Sequence, residues 1–251
     1  MTDGPERSIL PIDGPARVLE LLEVLPERVE EVLLPRSAKG GWRTPLENLC
    51  EARGVRLTVL PYAIFEKHPD RPQKARKVFA RFRHEEFGGL DALLEVPPEP
   101  QDTVLVLDQV EDPGNLGAMI RSAVWFGVKD IILPQRRAAP VTGTVAVRSA
   151  GALAHARIFR VKNLGRALDE LSSAGYFLYG SVVDRGDPLP GAPLPGPAAL
   201  IIGGEAKGMR ESIRNRCDQL LTLPPAGGVG SLNASVFAGL FLYERWRGLR
   251  S

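Results

Sequence analysis

The chain has 251 residues, 44% hydrophobic and 25% charged, with a formal net charge of +2; it is long for one core, comfortable for two, and too nearly neutral for its charge to reveal a partner. Its two cysteines, Cys50 and Cys217, and three histidines, His68, His84 and His155, show no ligand spacing, so neither a disulfide framework nor a metal site is suggested. No apolar h-region follows the N-terminal charges and no run of about 18 apolar residues occurs, so no membrane span is expected and the cytoplasm is the default location.

Residues 13–25 place Val18, Leu21, Leu22 and Leu25 on one helical face, and VEEVLL (29–34) reads as a short strand. Residues 44–53 are compatible with a helix, and VRLTVL (55–60) alternates as a half-buried strand does. Together they predict a small α/β unit over residues 1–90. From Arg71 to His84 stand Arg71, Lys74, Arg76, Lys77, Arg81 and Arg83, with Phe79 and Phe82 among them and no acid. Two readings are open: a solvated helix or edge strand protected by its charges, or an RNA-binding surface in which Lys74, Arg76, Lys77, Arg81 and Arg83 contact phosphates. Residues 85–102, with paired glycines, paired prolines and an acidic bias, make a poor continuous helix or strand, apart from a short helical turn at Leu90, Leu93 and Leu94. The expected division is therefore 1–90, a linker at 91–102, and 103–251.

Beyond the linker six strand-like runs recur, Val104–Val110, Asp130–Leu133, Ala156–Val161, Tyr176–Val183, Ala199–Gly203 and Gln219–Leu223, several separated by helix-like segments. Strands alternating with helices imply a largely parallel sheet, with ligands at the carboxyl ends of its strands. Arg185–Pro197, with five prolines, reads as a surface loop or rigid lid.

Three stretches carry candidate chemistry. In LDQVEDPGNLGAMIRSAVWFG (107–127) an apolar strand ends at Asp108, a Pro-Gly turn delivers Asn115 on the loop, and a helix presents Arg121 about two turns further on. Helical phase does not stack these two residues, so Arg121 is expected to reach back toward Asn115. A cation in this apolar segment needs water or a partner: an acid elsewhere, or a phosphate or reacting oxygen that fits its planar fork. In ALIIGGEAKGM (199–209) the glycines are spaced GGxxxG instead of GxGxxG, and no acidic ribose ligand ends a following strand, which argues against NAD. The strand instead empties bare backbone and the Glu205 carboxylate at the sheet edge. In LPPAGGVGSLNASVFAG (223–239), Gly227, Gly228 and Gly230 are free to adopt φ > 0. Ser231, Asn233 and Ser235 gather at a helix entrance, and Val236, Leu240 and Tyr243 share one helix face. An ordinary βα cap and a ligand-binding loop both fit this stretch.

With these three stretches in this order, the chain resembles the SpoU group of the SPOUT superfamily, the 2′-O-ribose RNA methyltransferases that use S-adenosylmethionine. DPGNLGAMIRSA is similar to the group's first motif, IIGGEAKGM to its second and LPPAGGVGSLNASVFAG to its third, together spanning nearly all of residues 104–243. IDGPARVLELLE and PERVEEVLLP are similar to the small L30e-like substrate-binding domain that often precedes it. Where many relatives carry Asn-His-Gln-Gly near the end of that domain, this chain has Ala75-Arg-Lys-Val-Phe-Ala-Arg81.

The resemblance implies an α/β protein with a trefoil-knotted SPOUT methyltransferase domain and a mainly parallel sheet, although true knots are almost absent from proteins. It further implies S-adenosylmethionine as cofactor, contacted at Gly203, Gly204, Leu223 and Leu232, and RNA as partner, rRNA rather than tRNA, with a 23S rRNA nucleotide the first expectation. A homodimer is implied as well, with the knot at or near its interface. The glycines of 223–239 would then give clearance to a threaded chain and a bent cofactor. Methyl transfer from a sulfonium to a hydroxyl needs alignment and partial removal of a proton, and no metal. Asn115, Ser231 and Asn233 would hold the ribose or its phosphate, and Glu205 would orient Asn115 or Arg121. The resemblance gives Arg121 a part in activating the 2′-hydroxyl. A guanidinium of pKa above ~12 is a poor base, so stabilising the developing alkoxide suits it better.

Overall fold

The computed structural model describes residues 6–227 and 230–250. The first part of the chain forms β1 (Glu6–Asp13), α1 (Pro15–Val24), β2 (Val29–Pro35), α2 (Arg43–Arg53), β3 (Arg56–Leu60), α3 (Tyr62–Glu66) and β4 (Phe79–Gly88). α1 buries Val18, Leu21 and Leu22, and α2 buries Leu46 and Cys50, so the apolar faces of both helices close over the same layer of the sheet.

β4 changes the reading of the basic stretch. It is no edge strand: β1 lies antiparallel along one side, while β2 (antiparallel) and then β7 (parallel, introduced below) share the other. Phe79 and Phe82 are fully buried in separate apolar clusters on the two faces of the sheet, as side chains an odd number of positions apart must be. They are core residues and offer no stacking surface. The strand also runs on to Gly88, past the point at which paired glycines and acids predicted that regular structure would stop.

The rest of the chain comprises α4 (Asp91–Leu94), β5 (Thr103–Asp108), α5 (Pro113–Trp125), β6 (Asp130–Pro134), α6 (Gly143–Arg148), β7 (Arg157–Val161), α7 (Leu164–Ser173), β8 (Phe177–Ser181), β9 (Asp187–Pro188), β10 (Ala198–Gly203), α8 (Glu211–Arg214), β11 (Gln219–Thr222) and α9 (Ala234–Gly248). The sheet order is β3-β2-β4-β7-β6-β5-β10-β8-β11-β9, with β1 on β4. From β4 to β9 every pairing is parallel. Helices cover both faces, so the central strands are apolar on both sides: Leu105 and Leu107 enter one buried cluster, Val104 and Val106 the other. In register, Asp108 at the end of β5 lies opposite Gly203 at the end of β10, which opens the carboxyl edge at the middle of the sheet.

Val236, Leu240 and Tyr243 share a face of α9, as their spacing predicts, and that face is turned outward, at 49%, 41% and 43% exposure; the helix buries Ala234, Ala238, Phe241, Leu242 and Arg245. The Pro-rich segment, read as a surface loop or rigid lid, runs over the surface and is held down by Leu189 and Leu194, which are buried in the core. Arg245 anchors it. This buried guanidinium donates to the carbonyls of Pro100, Asp102, Leu194 and Gly196 and to Thr103 Oγ1, which replaces the hydration it loses; burial still lowers its pKa. No helix among the described residues is long and apolar enough to cross a membrane.

Candidate active site

α5 starts one residue after Asp112, whose carboxylate caps the helix by accepting from Asn115 N at 2.7 Å, with Pro113 in the first turn. Asn115 therefore lies on the first turn of the helix and not on the loop. From there Asn115 Nδ2 donates to Glu205 Oε2 at 3.1 Å. Asn233 caps α9 through its Oδ1, which accepts from Ser235 N and Oγ, and its Nδ2 donates to both Asn115 Oδ1 and Glu205 Oε2 at 3.1 Å. Three residues from three distant stretches thus close one ring of hydrogen bonds. It leaves Glu205 Oε1 without a partner in the triad.

The loop bearing Glu205 is held from below. Gly204 and Gly208 form an isolated bridge, and the turn between them rests on the end of β5. Asp108, fully buried, accepts from Arg210 N and Nε at 2.8 Å and forms an ion pair with its Nη2 at 2.7 Å. Gln109 takes a left-handed φ of 61° and donates from Nε2 to Gly208 O at 3.1 Å. Close approach explains the two glycines here: a Cβ on Gly204 would lie 2.0 Å from Gln109 O, and one on Gly203 would lie 2.3 Å from Met209 N. For Gly227 and Gly230, by contrast, a Cβ would meet nothing within 4 Å among the described residues. Clearance for a neighbouring chain is needed at 203–204 and not at these two positions; Gly228 lies outside the described residues.

Two cavities meet at this turn. A cleft of about 640 Å³ is lined by Gly203, Gly204, Met209, Leu223, Ser231 and Leu232, among others. Its walls combine bare backbone with apolar and thioether side chains, so it fits a ligand that is part polar and part hydrophobic. A second cavity of about 310 Å³ is lined by Gln109, Glu111, Asp112 and Asn115. Glu205, Lys207 and Ala234 line both and so form the partition, with the triad beside it.

The residues singled out in the sequence divide as follows. Asn115, Glu205 and Asn233 come together, and Gly203, Gly204, Leu223, Leu232 and Ser231 line the larger cleft. Arg121 does not join them: it is exposed on α5 and lines neither cavity. Six residues along a helix turn through about 600°, which puts it on another face from Asn115. Arg81 is engaged with Asp70 at 2.9 Å and with Glu30 and Glu31 at 3.7 Å, and Arg83 donates to Glu27 O. Lys74, Arg76 and Lys77 are exposed. Sequence reasoning missed Lys207, Asp108, Gln109 and Arg210. Lys207 and Asp108 stand inside the quoted motifs, but nothing in their spacing reveals a partition or a clamp. Among the described residues no group of His, Cys, Asp or Glu is placed to hold a metal ion.

Comparison with known proteins agrees with this architecture. Residues 102–243 match the model of the SpoU rRNA Methylase family. A protein of Staphylococcus haemolyticus named "Putative TrmH family tRNA/rRNA methyltransferase" is 32% identical over 235 residues, 92% of this chain and 84% of that one. A Synechocystis protein, "Uncharacterized tRNA/rRNA methyltransferase slr0955", is 45% identical over 144 residues; the match spans 57% of this chain and 38% of that protein. In three dimensions the chain is similar to the SpoU methyltransferase AviRb of Streptomyces viridochromogenes in complex with AdoMet, with a TM-score of 0.68 at 25% identity, covering 96% of this chain and 90% of that one. From its matched motifs, its parallel sheet and these relatives, the chain belongs to the SpoU rRNA methylase family.

Proposed function

We propose that the chain transfers the methyl group of S-adenosylmethionine to the 2′-hydroxyl of a ribose in structured RNA, a 23S rRNA nucleotide first and a tRNA nucleotide second. The observation that carries this reading is the Asn115–Glu205–Asn233 ring beside a partition between a large cleft and a smaller cavity into which Asn115, Glu205 and Lys207 bring polar groups. Gly203 and Gly204 offer backbone groups, and Leu223, Leu232 and Met209 offer apolar and sulfur contacts, which suits an adenine, a ribose and a thioether-like sulfonium; AviRb is described with AdoMet bound. When bound, that cofactor supplies an electrophilic methyl. Asn115 and Asn233 fix the Glu205 carboxylate at the partition, where it can accept a hydrogen bond from an incoming ribose. Lys207, lining both cavities, adds a positive charge beside the oxygen that becomes negative.

Alignment is the main contribution of such a site. The test is transfer of labelled methyl into RNA, with the product phosphodiester resisting alkaline cleavage. Asn115→Ala is expected to lower the rate by about a hundredfold while the fold and cofactor affinity stay intact, a loss of positioning of the usual size. Full activity in a folded Asn115→Ala protein would remove the assignment. Absence of calorimetric binding of S-adenosylmethionine would favour a non-catalytic RNA-binding protein on the same fold.

Four further parts belong to this reading. Residues 1–90 serve as an L30e-like RNA-binding unit, with the exposed Lys74, Arg76 and Lys77 as its phosphate contacts. The chain works as a homodimer through the outward apolar face of α9, where Val236, Leu240 and Tyr243 are exposed. The carboxyl-terminal segment is threaded as a trefoil knot, supported by the tight approach of backbone at Gly203 and Gly204. The cytoplasm is its compartment.

A further inference from the structure

A third cavity lies where the first part of the sheet meets the second. It has a volume of about 440 Å³ and is lined by His84 and Glu86 of β4, Arg160 of β7, and Gln135, Pro140 and Val141 from the segment between β6 and α6. At its floor His84 Nε2 lies 3.3 Å from Glu86 Oε1, and Arg160 Nε donates to Glu86 Oε2 at 3.1 Å. Arg160 also donates to Pro134 O and Ala139 O. His84 is 2% exposed, and among the described residues its Nδ1 has no hydrogen-bond partner. The Glu86 side chain keeps 27% of its surface exposed. Burial alone would raise its pKa, but the hydrogen bonds and charges of His84 and Arg160 outweigh this and hold it below the usual value. Glu86 is therefore an ionised acceptor with one lone-pair direction left on each oxygen.

Two observations connect this cavity to the site. Ala139 N donates to Val110 O at 2.8 Å, and Val110 lines the smaller cavity beside the triad; Ala139 O accepts from Arg160 at 2.9 Å. One residue thus bridges the two. Gln135 and Ala138 line the cavity, and between them in the chain stand Arg136 and Arg137, both exposed, with Arg137 held at a left-handed φ of 61°, a conformation that a non-glycine residue adopts at a cost and that clusters at functional sites.

We infer that this cavity receives one unpaired guanine of the RNA next to the nucleotide being modified, with Glu86 accepting from the base and Arg136 and Arg137 meeting the flanking phosphates. Sequence-specific RNA recognition reads splayed-out bases by their Watson–Crick edges. Guanine presents two adjacent donors there, N1–H and N2–H, which match the two oxygens of a carboxylate. Adenine, cytosine and uracil present no such pair. The Gln135 amide can donate to O6. The inference rests on RNA being the substrate, but on no detail of methyl transfer.

With three histidines in the chain, ring resonances of isotope-labelled His84 report on the cavity. The full chain is titrated with GMP, AMP, CMP and UMP, and with short single-stranded oligonucleotides that contain or lack guanine. GMP and guanine-containing oligonucleotides are expected to shift His84, with affinity about tenfold above the other bases, as one bidentate contact gives. Glu86→Gln should remove that preference, with melting temperature measured alongside to separate it from loss of the β4–β7 tie. Arg136→Ala with Arg137→Ala should weaken all four nucleotides alike. The inference fails if His84 does not move in a folded protein, if all bases act equally, or if Glu86→Gln leaves the preference unchanged. A response to GMP but not to guanine-containing RNA would make this a free-nucleotide site and overturn it too. Calorimetric titration with S-adenosylmethionine in parallel keeps the two readings apart, because loss of cofactor binding alone leaves the His84 result standing.

Discussion

Asp108→Asn tests whether the turn bearing Glu205 is held by the clamp beneath it. The substitution keeps the shape of a fully buried side chain but removes its charge and puts an amide NH2 against a donor. Asp108 accepts from Arg210 N, Nε and Nη2 at 2.7 to 2.8 Å. Charged hydrogen bonds contribute a net of about 1.5–3 kcal/mol each, and breaking a buried pair costs about 3–5 kcal/mol. The Arg210 side chain is 32% exposed and can be rehydrated, so the lower end applies, about 3 kcal/mol. For a chain of this size that lowers the melting temperature by about 6–12 °C. The turn should also shift, because Arg210 N follows the Met209 backbone that packs on Gly203, and cofactor affinity should fall by about tenfold, or ~1.4 kcal/mol. Thermal unfolding and calorimetric titration with S-adenosylmethionine measure both. A melting temperature within about 2 °C of the parent together with an unchanged affinity would refute the clamp, and so would purely additive losses in a cycle with Arg210→Ala.

Gly204→Ala forces a Cβ to within 2.0 Å of a backbone oxygen and should cost at least about 1–3 kcal/mol and abolish cofactor binding. Gly227→Ala, facing open space, should stay within about 0.5 kcal/mol of the parent; equal stability of the two variants in denaturant titration would contradict the close approach. Leu240→Asp with Tyr243→Asp, on the exposed face of α9, should convert a dimer to a folded monomer in sedimentation, whereas a dimer that survives both charges must use another face. Burial pushes the thiols of Cys50 and Cys217 up to about 11 and about 12. The thiolate is the reactive form, so neither should be alkylated by iodoacetamide at pH 8 in the native protein while both are in denaturant, and rapid native labelling of Cys217 would count against that burial.

Much of the architecture was legible because it depends on local pattern. Six of the seven strands described after residue 100 were expected within two residues of their observed ends, all but the two-residue β9, since apolar runs between turn signals mark buried parallel strands directly. Strand β1 and the pairing role of β4 were not legible. Residues 6–12 carried no assigned element and the basic stretch entering β4 read as solvated or RNA-facing, while both strands are fixed by partners far along the chain: Glu6 opposite Glu86, and Glu86 opposite Ile158. Direction of burial was hidden as well. Val236, Leu240 and Tyr243 obey helical spacing, but spacing states only that a face exists, and α9 buries the face carrying Ala238, Phe241 and Arg245.

At the site, the same limit separates Asn115 from Arg121. Asn115, Glu205 and Asn233 were all chosen as small polar or acidic residues at strand-to-helix entrances, and the carboxyl edge of a parallel sheet necessarily gathers such entrances. Arg121 was chosen for being a cation in an apolar segment, a criterion that fixes cost and not direction. It avoids the cost of burial by pointing outward. The cation lining both cavities is Lys207, on a turn whose position is set by contacts from Asp108 and Gln109, about a hundred residues earlier. In the proposed reaction, positive charge beside the reacting oxygen therefore depends on how firmly that turn is held. On that reading Asp108 and Arg210 matter to the chemistry as much as any group that would touch the ribose, although neither faces it.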